Sequence, residues 1–305
     1  MKHYSVAAFY QFCPLPNYEA LRPEIHKFCS EKSVKGIILL ANEGINGTIA
    51  GSDSSISQTI AYIKGLHSDF CFEPKLSYTD EMPFLRLKVK PKAEIVPLGV
   101  TGLAPSFNTG FFVEPHEWNN LIEDESVTVI DVRNDYEVRL GTFERAIDPK
   151  TKSFRDFPSY VEKTLDPNKN KKIAMFCTGG IRCEKASAFL IENGFSEVYQ
   201  LEGGILKYLE LVEPEQSKWS GDCFVFDKRV AVGHGLTPSD VDLCYGCLSP
   251  LTSEDRNSPD YEIGVCCPYC AAIQTERQKS AARERKRQIS LSRKKGKVHL
   301  GPKCD

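Results

Sequence analysis

Hydrophobic and polar positions in the first third of the chain follow two periods, one typical of strands and one of helices. Strands are predicted over residues 6–12, 36–41, 48–50 and 84–90, and helices over residues 17–33 and 53–66. In chain order these segments follow the pattern β-α-β-β-α-β. Residues 43–47 are predicted to form the turn between the middle strands, and Asp53 or Ser54 to cap the second helix. This order predicts a ferredoxin-like α+β domain over residues 1–95.

The segment 84–90 alternates apolar residues with cations. Its apolar side chains, which we expect to face the core, are Leu85, Leu87 and Val89. Its cationic side chains, which we expect to point outward, are Arg86, Lys88 and Lys90. Such a row either follows a phosphate backbone or forms the solvated face of an ordinary strand, so these three cations are candidate RNA-binding residues.

The middle of the chain changes to a pattern of buried strands separated by helices. Residues 96–111 are rich in Pro, Gly and Thr and are predicted to form a linker. Over residues 112–215, apolar strands at 127–132, 173–177 and 197–201 alternate with helical patterns. This alternation predicts an α/β domain whose parallel sheet is covered by helices on both sides.

The heptapeptide Cys177-Thr-Gly-Gly-Ile-Arg-Cys183 joins the second of these strands to a helix. Unpaired backbone N–H groups, the positive end of the helix and Arg182 all favour a thiolate on Cys177. The two glycines allow the loop to curl around the sulfur. The pattern therefore predicts a nucleophilic Cys177 in an anion-binding cradle. The other candidate residues of this active-site loop are Thr178, Gly179, Gly180, Ile181, Arg182 and Cys183.

Three questions about this loop stay open at the level of sequence. Cys177 can act as a thiolate or can carry a persulfide. Arg182 can bind an anion or support the loop. Cys183 can be a resolving thiol or a packing residue at the start of the helix.

Two Cys-x-x-Cys motifs, separated by nineteen residues, lie in a segment with few apolar residues, 216–275. Their cysteines are Cys244, Cys247, Cys267 and Cys270. This spacing is typical of two knuckles that hold one tetrahedral Zn²⁺ through four thiolates, and such a closed site is structural. A metal would also help this segment to fold. Packed or redox-active cysteines are the alternatives.

Composition is that of a globular protein. The 305 residues are 41% hydrophobic and 26% charged, which fits two or three domains. No apolar run reaches the roughly 20 residues that cross a bilayer, and the N-terminus has too short an apolar core for a secretory signal. A cytoplasmic protein without membrane association is therefore expected. Its twelve cysteines are expected to be metal ligands, catalytic thiols or buried residues, and not disulfides.

The net charge of −2 hides an asymmetry. Residues 276–305 hold eleven Lys or Arg against three acidic residues, a net charge of +8, whereas residues 1–275 hold 28 basic and 38 acidic residues, a net charge of −10. A basic, flexible tail, with an initial helix over 276–288, is expected either to bind a polyanion such as nucleic acid or only to aid solubility. Its candidate nucleic-acid-binding residues are Arg283, Arg285, Lys286 and Arg287.

Residues 127–208 resemble a rhodanese domain. The matching features, in order, are Ile130–Arg133, Glu137, Gly141, Cys177–Arg182, Gly194–Phe195 and Leu201–Gly204. Up to about Cys270, the whole chain is similar to the tRNA uridine(34) hydroxylases that contain a central rhodanese domain. The markers of that family, besides the two cysteine knuckles, are Asn42–Gly47, Asp131–Glu137, Cys177–Ser187 and Phe224–Asp227.

This resemblance implies an enzyme that hydroxylates C5 of the wobble uridine in the tRNA anticodon loop, with molecular oxygen as co-substrate and Cys177 as the active-site residue. Protein partners stay undefined. The chain departs from the family at Asp148, where the family usually has Asn before Pro149. Hydroxylation by oxygen normally calls for a flavin or a redox metal, but the sequence has no flavin or NAD motif and no cluster of two histidines and a carboxylate.

Three functions fit these features. The first is a tRNA hydroxylase in which the Cys177 thiolate adds to C6 of uracil and makes C5 electron-rich. The second is a rhodanese-type sulfurtransferase that carries a persulfide on Cys177, which explains the loop but not the flanking domains. The third is a zinc-containing RNA-binding adaptor, and the intact Cys177 argues against it.

Overall fold

The computed structural model describes residues 3–294. Its first domain is a five-stranded sheet with two helices. The elements are β1 (Tyr4–Phe12), α1 (Tyr18–Glu31), β2 (Lys35–Ala41), β3 (Gly44–Gly51), α2 (Asp53–Lys64), β4 (Lys75–Thr79) and β5 (Leu87–Pro91). The strand order is β4-β1-β3-β2-β5. The first six elements have the β-α-β-β-α-β order, so the predicted ferredoxin-like class is confirmed.

One face of this sheet is covered by α1 and α2. Alternate strand residues such as Phe9, Ile38 and Ile49 are buried together with Ile25 of α1 and Ile60 of α2. The two helices thus leave the opposite face of the sheet to contact the rest of the chain.

The strand predicted over residues 84–90 has a different position in the sheet from the one expected. The fourth strand of the fold is β4, whereas the predicted segment supplies an added edge strand, β5, which begins at Leu87 and runs parallel to β2. Leu85 is 55% exposed, so its predicted core position is wrong. The reason is that Leu85 precedes the paired residues and has no neighbouring strand to fix its direction.

Two local predictions in this domain are also wrong. The turn between β2 and β3 contains only residues 42–43, because β3 begins immediately after them. Helix α2 is capped by Ser52, whose hydroxyl accepts a hydrogen bond of 3.2 Å from the Ser55 N–H, and not by Asp53 or Ser54.

The second domain is a parallel sheet between helices. Its elements are β6 (Phe111–Val113), α3 (Pro115–Glu123), β7 (Val127–Asp131), α4 (Asp135–Val138), β8 (Gly141–Phe143), α5 (Phe157–Thr164), β9 (Lys172–Phe176), α6 (Ile181–Glu192), β10 (Glu197–Leu201) and α7 (Gly204–Leu211). Strands β6, β10, β9 and β7 are parallel neighbours in that order. In β9, Ile173 and Met175 share a core with α5 and α6, whereas Ala174 and Phe176 share one with α3 and α7. The predicted α/β class is confirmed.

A buried ion cluster joins the two domains. Lys185 on α6 is 1% exposed, and its Nζ lies 2.8 Å from a carboxylate oxygen of Glu43 and 2.6 Å from one of Glu94. The same ammonium group donates a hydrogen bond of 3.0 Å to the Val96 carbonyl oxygen. A buried ammonium group is stable only when it is paired. The cluster therefore fixes the helix that follows the Cys177 loop against the first domain.

The rest of the described chain forms short paired strands and two α-helices. Its elements are β11 (Trp219–Gly221), β12 (Cys223–Phe224), β13 (Ala231–Val232), β14 (Asp242–Leu243), β15 (Pro250–Leu251), α8 (Ser253–Asn257) and α9 (Glu276–Lys294). Strand β11 pairs with β8, β12 with β13, and β14 with β15. None of the helices within residues 3–294 combines the length and the apolar character that a membrane crossing needs.

The helix predicted over 276–288 extends further, so residues 276–294 form α9 and not a flexible tail. Ala282 is buried against the cysteine-rich segment. Arg283 donates two hydrogen bonds, of 2.8 and 2.6 Å, to the Glu262 carboxylate. These contacts dock a helix that is otherwise polar. Residues 295–305 lie outside the described residues.

Candidate active site

Cys177 directly follows β9, where the chain turns into α6. Its side chain is fully buried, with 0% exposure. The turn depends on Gly180, whose φ of +99° would strain any other residue and whose added Cβ would lie 2.8 Å from the Tyr10 hydroxyl oxygen. The loop lies at the carboxyl end of a central strand, as predicted. Of its two glycines, Gly180 is the one that has the left-handed conformation.

The sulfur of Cys177 is surrounded by hydrogen-bond donors. The Gly180 N–H donates to Sγ at 3.1 Å. Burial opposes the thiolate, but the Cys183 thiol, the Arg182 charge and the backbone N–H groups of both residues outweigh it and lower the pKa of Cys177 to about 5. Cys177 is therefore a thiolate at neutral pH.

The pKa of Cys183 is shifted in the opposite direction from that of Cys177. Burial and the neighbouring Cys177 sulfur raise the pKa of Cys183 well above its usual value. Its thiol stays protonated and can donate to the Cys177 thiolate. Cys183 therefore supports the charge on Cys177, and it does so from the first turn of α6.

Arg182 is held by a buried carboxylate. Its Nη1 and Nη2 lie 2.6 and 2.7 Å from the two carboxylate oxygens of Glu137. The Thr178 hydroxyl bridges the pair, at 3.3 Å from Glu137 and 3.2 Å from Arg182. Burial disfavours both charges, but their mutual attraction is stronger, so the pKa of Glu137 is lowered and that of Arg182 is raised. The guanidinium thus supports the loop and supplies a fixed positive charge beside Cys177.

A cavity of about 460 Å³ lies over the loop and is walled by both domains. Its polar and charged lining residues include Tyr10, Asn46, Lys75, Asn134, Arg182 and Arg229. Tyr10 and Lys75 were missed by sequence reasoning, because they lie on separate strands of the first domain and belong to no local motif. Only the packing of the two domains brings them to Cys177. We call this space the Cys177 cavity.

Three titratable groups lie near the loop. Lys75 donates a hydrogen bond of 2.6 Å from Nζ to the Gly179 carbonyl oxygen, and burial lowers its pKa to about 8. Burial raises the pKa of Glu184 to about 7, even though the Tyr10 hydroxyl donates to its carboxylate. Burial and Glu184 also raise the pKa of Tyr10. Lys75 and Glu184 titrate close to neutrality, so both can transfer protons during a reaction.

The four cysteines of the two knuckles come together as predicted. The sulfur atoms of Cys244, Cys247, Cys267 and Cys270 all lie within 4.8 Å of one another. Three of their separations are 3.8, 3.6 and 3.8 Å. Four thiolates at about 2.3 Å from a tetrahedral Zn²⁺ would lie roughly 3.8 Å apart, whereas a disulfide needs about 2.05 Å. The set can therefore bind one metal ion.

Two of the predicted strand cations line a second cavity. Arg86 and Lys88 border a space of about 660 Å³, which shares Ile37 and residues 225–227 with the Cys177 cavity. The two spaces are therefore neighbours. Lys90 is exposed and is not among the lining residues of either one.

One of the predicted cations of α9 lines a third cavity. Arg285 borders a space of about 840 Å³ together with Arg139 and Lys152. This space shares Tyr136, Cys247 and Ser249 with the second cavity. The three cavities thus follow one another along the surface, from Cys177 to α9.

The other predicted cations of α9 are exposed outside these cavities. Arg283 pairs with Glu262, as described for the fold. Arg287 donates two hydrogen bonds of 2.8 Å to Glu284. Lys286 lies beside Gly264. Arg285 is therefore the member of this group nearest to the line of cavities.

Asp148, where the resemblance predicts Asn, is not among the residues that line the three cavities. Its Oδ1 accepts a hydrogen bond of 2.7 Å from the Lys150 N–H, and its Oδ2 lies 2.8 Å from the Lys150 Nζ. An Asn could accept the first hydrogen bond but could not form the ion pair. The substitution therefore changes a local turn and not the Cys177 cavity.

The folds and the site define a class of protein: a ferredoxin-like domain joined to a rhodanese-like domain whose loop cysteine is intact. Family models agree, since residues 4–95 match the UPF0176 acylphosphatase like domain and residues 114–211 match the rhodanese-like domain. A solution NMR structure of a rhodanese-like domain from Anabaena sp. is 20% identical and covers 36% of this chain and 77% of its own, with a TM-score of 0.30.

Full-length relatives are more informative. The chain is 50% identical over 305 residues to the tRNA uridine(34) hydroxylase of Teredinibacter turnerae, which covers 100% of this chain and 95% of the relative. It is 52% identical over 299 residues to the tRNA uridine(34) hydroxylase of Brucella ovis, which covers 98% of each. The chain therefore belongs to the tRNA uridine(34) hydroxylase family, and the resemblance found in the sequence is confirmed.

The lowered pKa of Cys177 predicts the pH dependence of its alkylation. Because the thiolate is the reactive form, the rate of carbamidomethylation at Cys177 should stay constant above neutrality and fall as the pH drops through about 5. Peptide mass spectrometry measures this rate at Cys177 alone. Cys183→Ala removes a donor and should move the midpoint to higher pH. A wild-type midpoint near the ordinary thiol value of about 8.5 would contradict this account.

Proposed function

We propose that this protein hydroxylates C5 of uridine 34 in tRNA, with molecular oxygen as co-substrate and Cys177 as the nucleophile. The observation that carries the proposal is the Cys177 thiolate beneath a cavity of about 460 Å³, a volume typical of small-ligand sites. A base turned out of the anticodon loop suits such a site, because an unpaired loop nucleotide has little stacking to lose. Family membership supports tRNA and uridine 34 as the substrate.

The chemistry begins with addition of the thiolate. Cys177 adds to the electron-poor C6 of uracil, and the displaced electron pair forms an enolate over C5 and O4. C5 bonds to one atom of O₂, and protonation of the other atom gives a hydroperoxide. A soluble two-electron reductant, such as a small thiol, cleaves the O–O bond, which leaves a hydroxyl group on C5 and releases water. Loss of the C5 proton and departure of Cys177 restore the double bond.

These reaction steps balance in atoms and electrons. Uridine, O₂, two electrons and two protons give 5-hydroxyuridine and one water. The Cys177 thiolate is regenerated, so it acts as a covalent catalyst. The two electrons come from the soluble reductant.

Residues of both domains assist the proton transfers. Glu184 of α6, whose pKa is raised to about 7 by burial, can take up the C5 proton through its hydrogen-bond partner, the Tyr10 hydroxyl, because Tyr10 lines the Cys177 cavity. Lys75, whose pKa is lowered to about 8 by burial, still carries a proton at neutral pH and can stabilise the enolate oxygen. The N-terminal domain therefore contributes to the reaction and does not only bind tRNA.

The line of cavities supports a path for the tRNA. Arg86 and Lys88 lie next to the Cys177 cavity, and Arg285 lies beyond them. Cations along such a path would contact the phosphates on either side of the turned-out uridine. Lys90, Arg283, Lys286 and Arg287 stay predictions as tRNA contacts from outside the cavities.

The two other functions that the sequence left open are not supported. The relatives that match the whole chain are named as hydroxylases. A sulfurtransferase would also have no use for the first domain, whose Tyr10 and Lys75 reach the Cys177 loop. An adaptor would not need the lowered pKa of Cys177. The expected cytoplasmic location stays a prediction.

We further propose that Cys244, Cys247, Cys267 and Cys270 bind one structural Zn²⁺. The sulfur separations fit a tetrahedral set of four thiolates. Such a set has no open coordination position, so the metal would hold the segment together and take no part in the reaction. Ala282 of α9 packs on these cysteines, so the metal would also orient the helix that carries Arg285.

The main proposal is tested by complementation. Cells that lack this gene should contain uridine 34 without the additional oxygen atom, and wild-type protein should restore it. Cys177→Ala should not restore it, because among the described residues that line the cavity Cys177 is the only cysteine that could form the C6 adduct. Nucleoside mass spectrometry of purified tRNA gives the answer. Equal restoration by Cys177→Ala would refute the role of Cys177, and a change in thiolated nucleosides alone would refute hydroxylation.

The zinc proposal is tested by metal analysis. Purified protein should contain one zinc ion per chain, and Cys267→Ser should lose it and melt at a lower temperature, because metal binding contributes to folding. The matched control is Cys266→Ser, since Cys266 is also buried and adjacent but lies outside the cluster. It should keep the metal. Full metal content in Cys267→Ser would disprove the site.

A further inference from the structure

Phe226 occupies an unusual position at the border between two cavities. It lines both the Cys177 cavity and the second cavity, which holds Arg86 and Lys88. Its side chain is 60% exposed. Burying a large aromatic side chain is favourable, so an exposed phenylalanine beside a reactive site indicates a surface that a ligand covers.

The segment that carries Phe226 is fixed in place. Phe226 lies at the tip of the hairpin between β12 and β13. The guanidinium of Arg229 donates to the Asp227 carboxylate at 2.9 and 2.6 Å and to the Ser77 hydroxyl at 2.7 Å. The Lys228 N–H donates to the Pro83 carbonyl oxygen at 3.2 Å. Ser77 and Pro83 belong to the first domain, so this tip is tied to the other wall of the site.

The ring of Phe226 is also supported from its own side. It meets Phe224 edge to face, with ring centroids 5.1 Å apart and an angle of 86°. Phe224 in turn meets Tyr136 at 5.4 Å and 84°. These contacts orient the ring, while its exposure leaves much of its surface accessible. A preorganised aromatic surface loses little entropy when a planar ligand stacks on it.

The second cavity, which Phe226 borders, contains a group of cations. Arg86, Lys88 and Lys228 all line the second cavity. An aromatic ring next to a group of cations is the arrangement with which proteins hold single-stranded nucleic acid, the ring stacking on a base and the cations contacting phosphates. Phe226 also borders the Cys177 cavity, which holds the thiolate and which the base must enter.

From this arrangement we propose that Phe226 stacks on the turned-out uracil as it enters the Cys177 cavity and so holds C6 against the sulfur. Lys228 contacts a phosphate next to that nucleotide. The inference rests on the proposed function, because it assigns a positioning role in the same site. It adds a base-stacking residue, contributed by the segment between the rhodanese-like domain and the cysteine knuckles.

Three substitutions separate stacking from simple space filling. Phe226→Ala should weaken tRNA binding about tenfold or more, as expected for the loss of one stacked base, and should raise KM for tRNA. Phe226→Leu keeps apolar bulk without an aromatic face and should fail in the same way. Phe226→Tyr keeps the aromatic face and should bind tRNA within about threefold of wild type. Phe107→Ala, at a residue that is 80% exposed outside the three cavities, is the matched control and should change nothing.

A second readout does not depend on hydroxylation. Unmodified tRNA should protect Cys177 of the wild-type protein and of Phe226→Tyr from carbamidomethylation, but should not protect it in Phe226→Ala or Phe226→Leu. Without tRNA, all variants should be alkylated at the same rate and melt at the same temperature, which shows that they are folded.

Failure of this inference can be told apart from failure of the proposed function. Full protection in Phe226→Ala, or equal behaviour of Phe226→Leu and wild type, would overturn the stacking role. Absence of hydroxylation by the wild-type protein, with protection still dependent on an aromatic residue at position 226, would overturn the proposed reaction and keep the base-stacking site.

Discussion

The site depends on one buried ion pair, that between Arg182 and Glu137. Both side chains are removed from water, and an unpaired charge in such a place is strongly destabilising. The pair is tolerated because two N–H groups meet two carboxylate oxygens and because the Asn134 N–H donates to the same carboxylate at 3.2 Å. Since Arg182 belongs to the first turn of α6, the pair also fixes the direction of the helix. The Cys183 thiol, the positive charge of Arg182 and the backbone N–H groups of both residues together stabilise the thiolate of Cys177.

The second constraint is that the first domain encloses the Cys177 loop. The open face of the ferredoxin-like sheet covers the Cys177 loop, and Lys185 ties α6 to Glu43 and Glu94 so that this cover stays in place. Exclusion of water strengthens each electrostatic interaction within the cavity. It also explains why Lys75 and Glu184 titrate close to neutrality. A rhodanese-like domain alone would have the nucleophile, whereas the joined domains have a cavity with proton-transferring groups.

Much of this arrangement could be predicted from the sequence, and the missing part has a physical reason. The chemistry of the Cys177 loop and of the cysteine knuckles depends on residues that are close together in the chain. The spacing of those residues was therefore sufficient to predict both features. The partner of Arg182 is 45 positions away in the chain, and Tyr10 and Lys75 come from another domain, so no local pattern marks them. The predicted core position of Leu85 was wrong because the alternation of apolar and polar residues does not show where strand pairing begins. The length of α9 was underestimated because its stability comes from docking onto the cysteine-rich segment.

The central claim is that Cys177 bonds to C6 of the uracil. The most direct measurement is incubation of unmodified tRNA with the protein in D₂O without oxygen, followed by mass spectrometry of the nucleoside at position 34. Reversible addition of the thiolate makes C5 basic, so this account predicts that deuterium replaces hydrogen at C5 with the wild-type protein and not with Cys177→Ser. Exchange by Cys177→Ser at the wild-type rate, or no exchange by a wild-type preparation that hydroxylates tRNA in air, would contradict it.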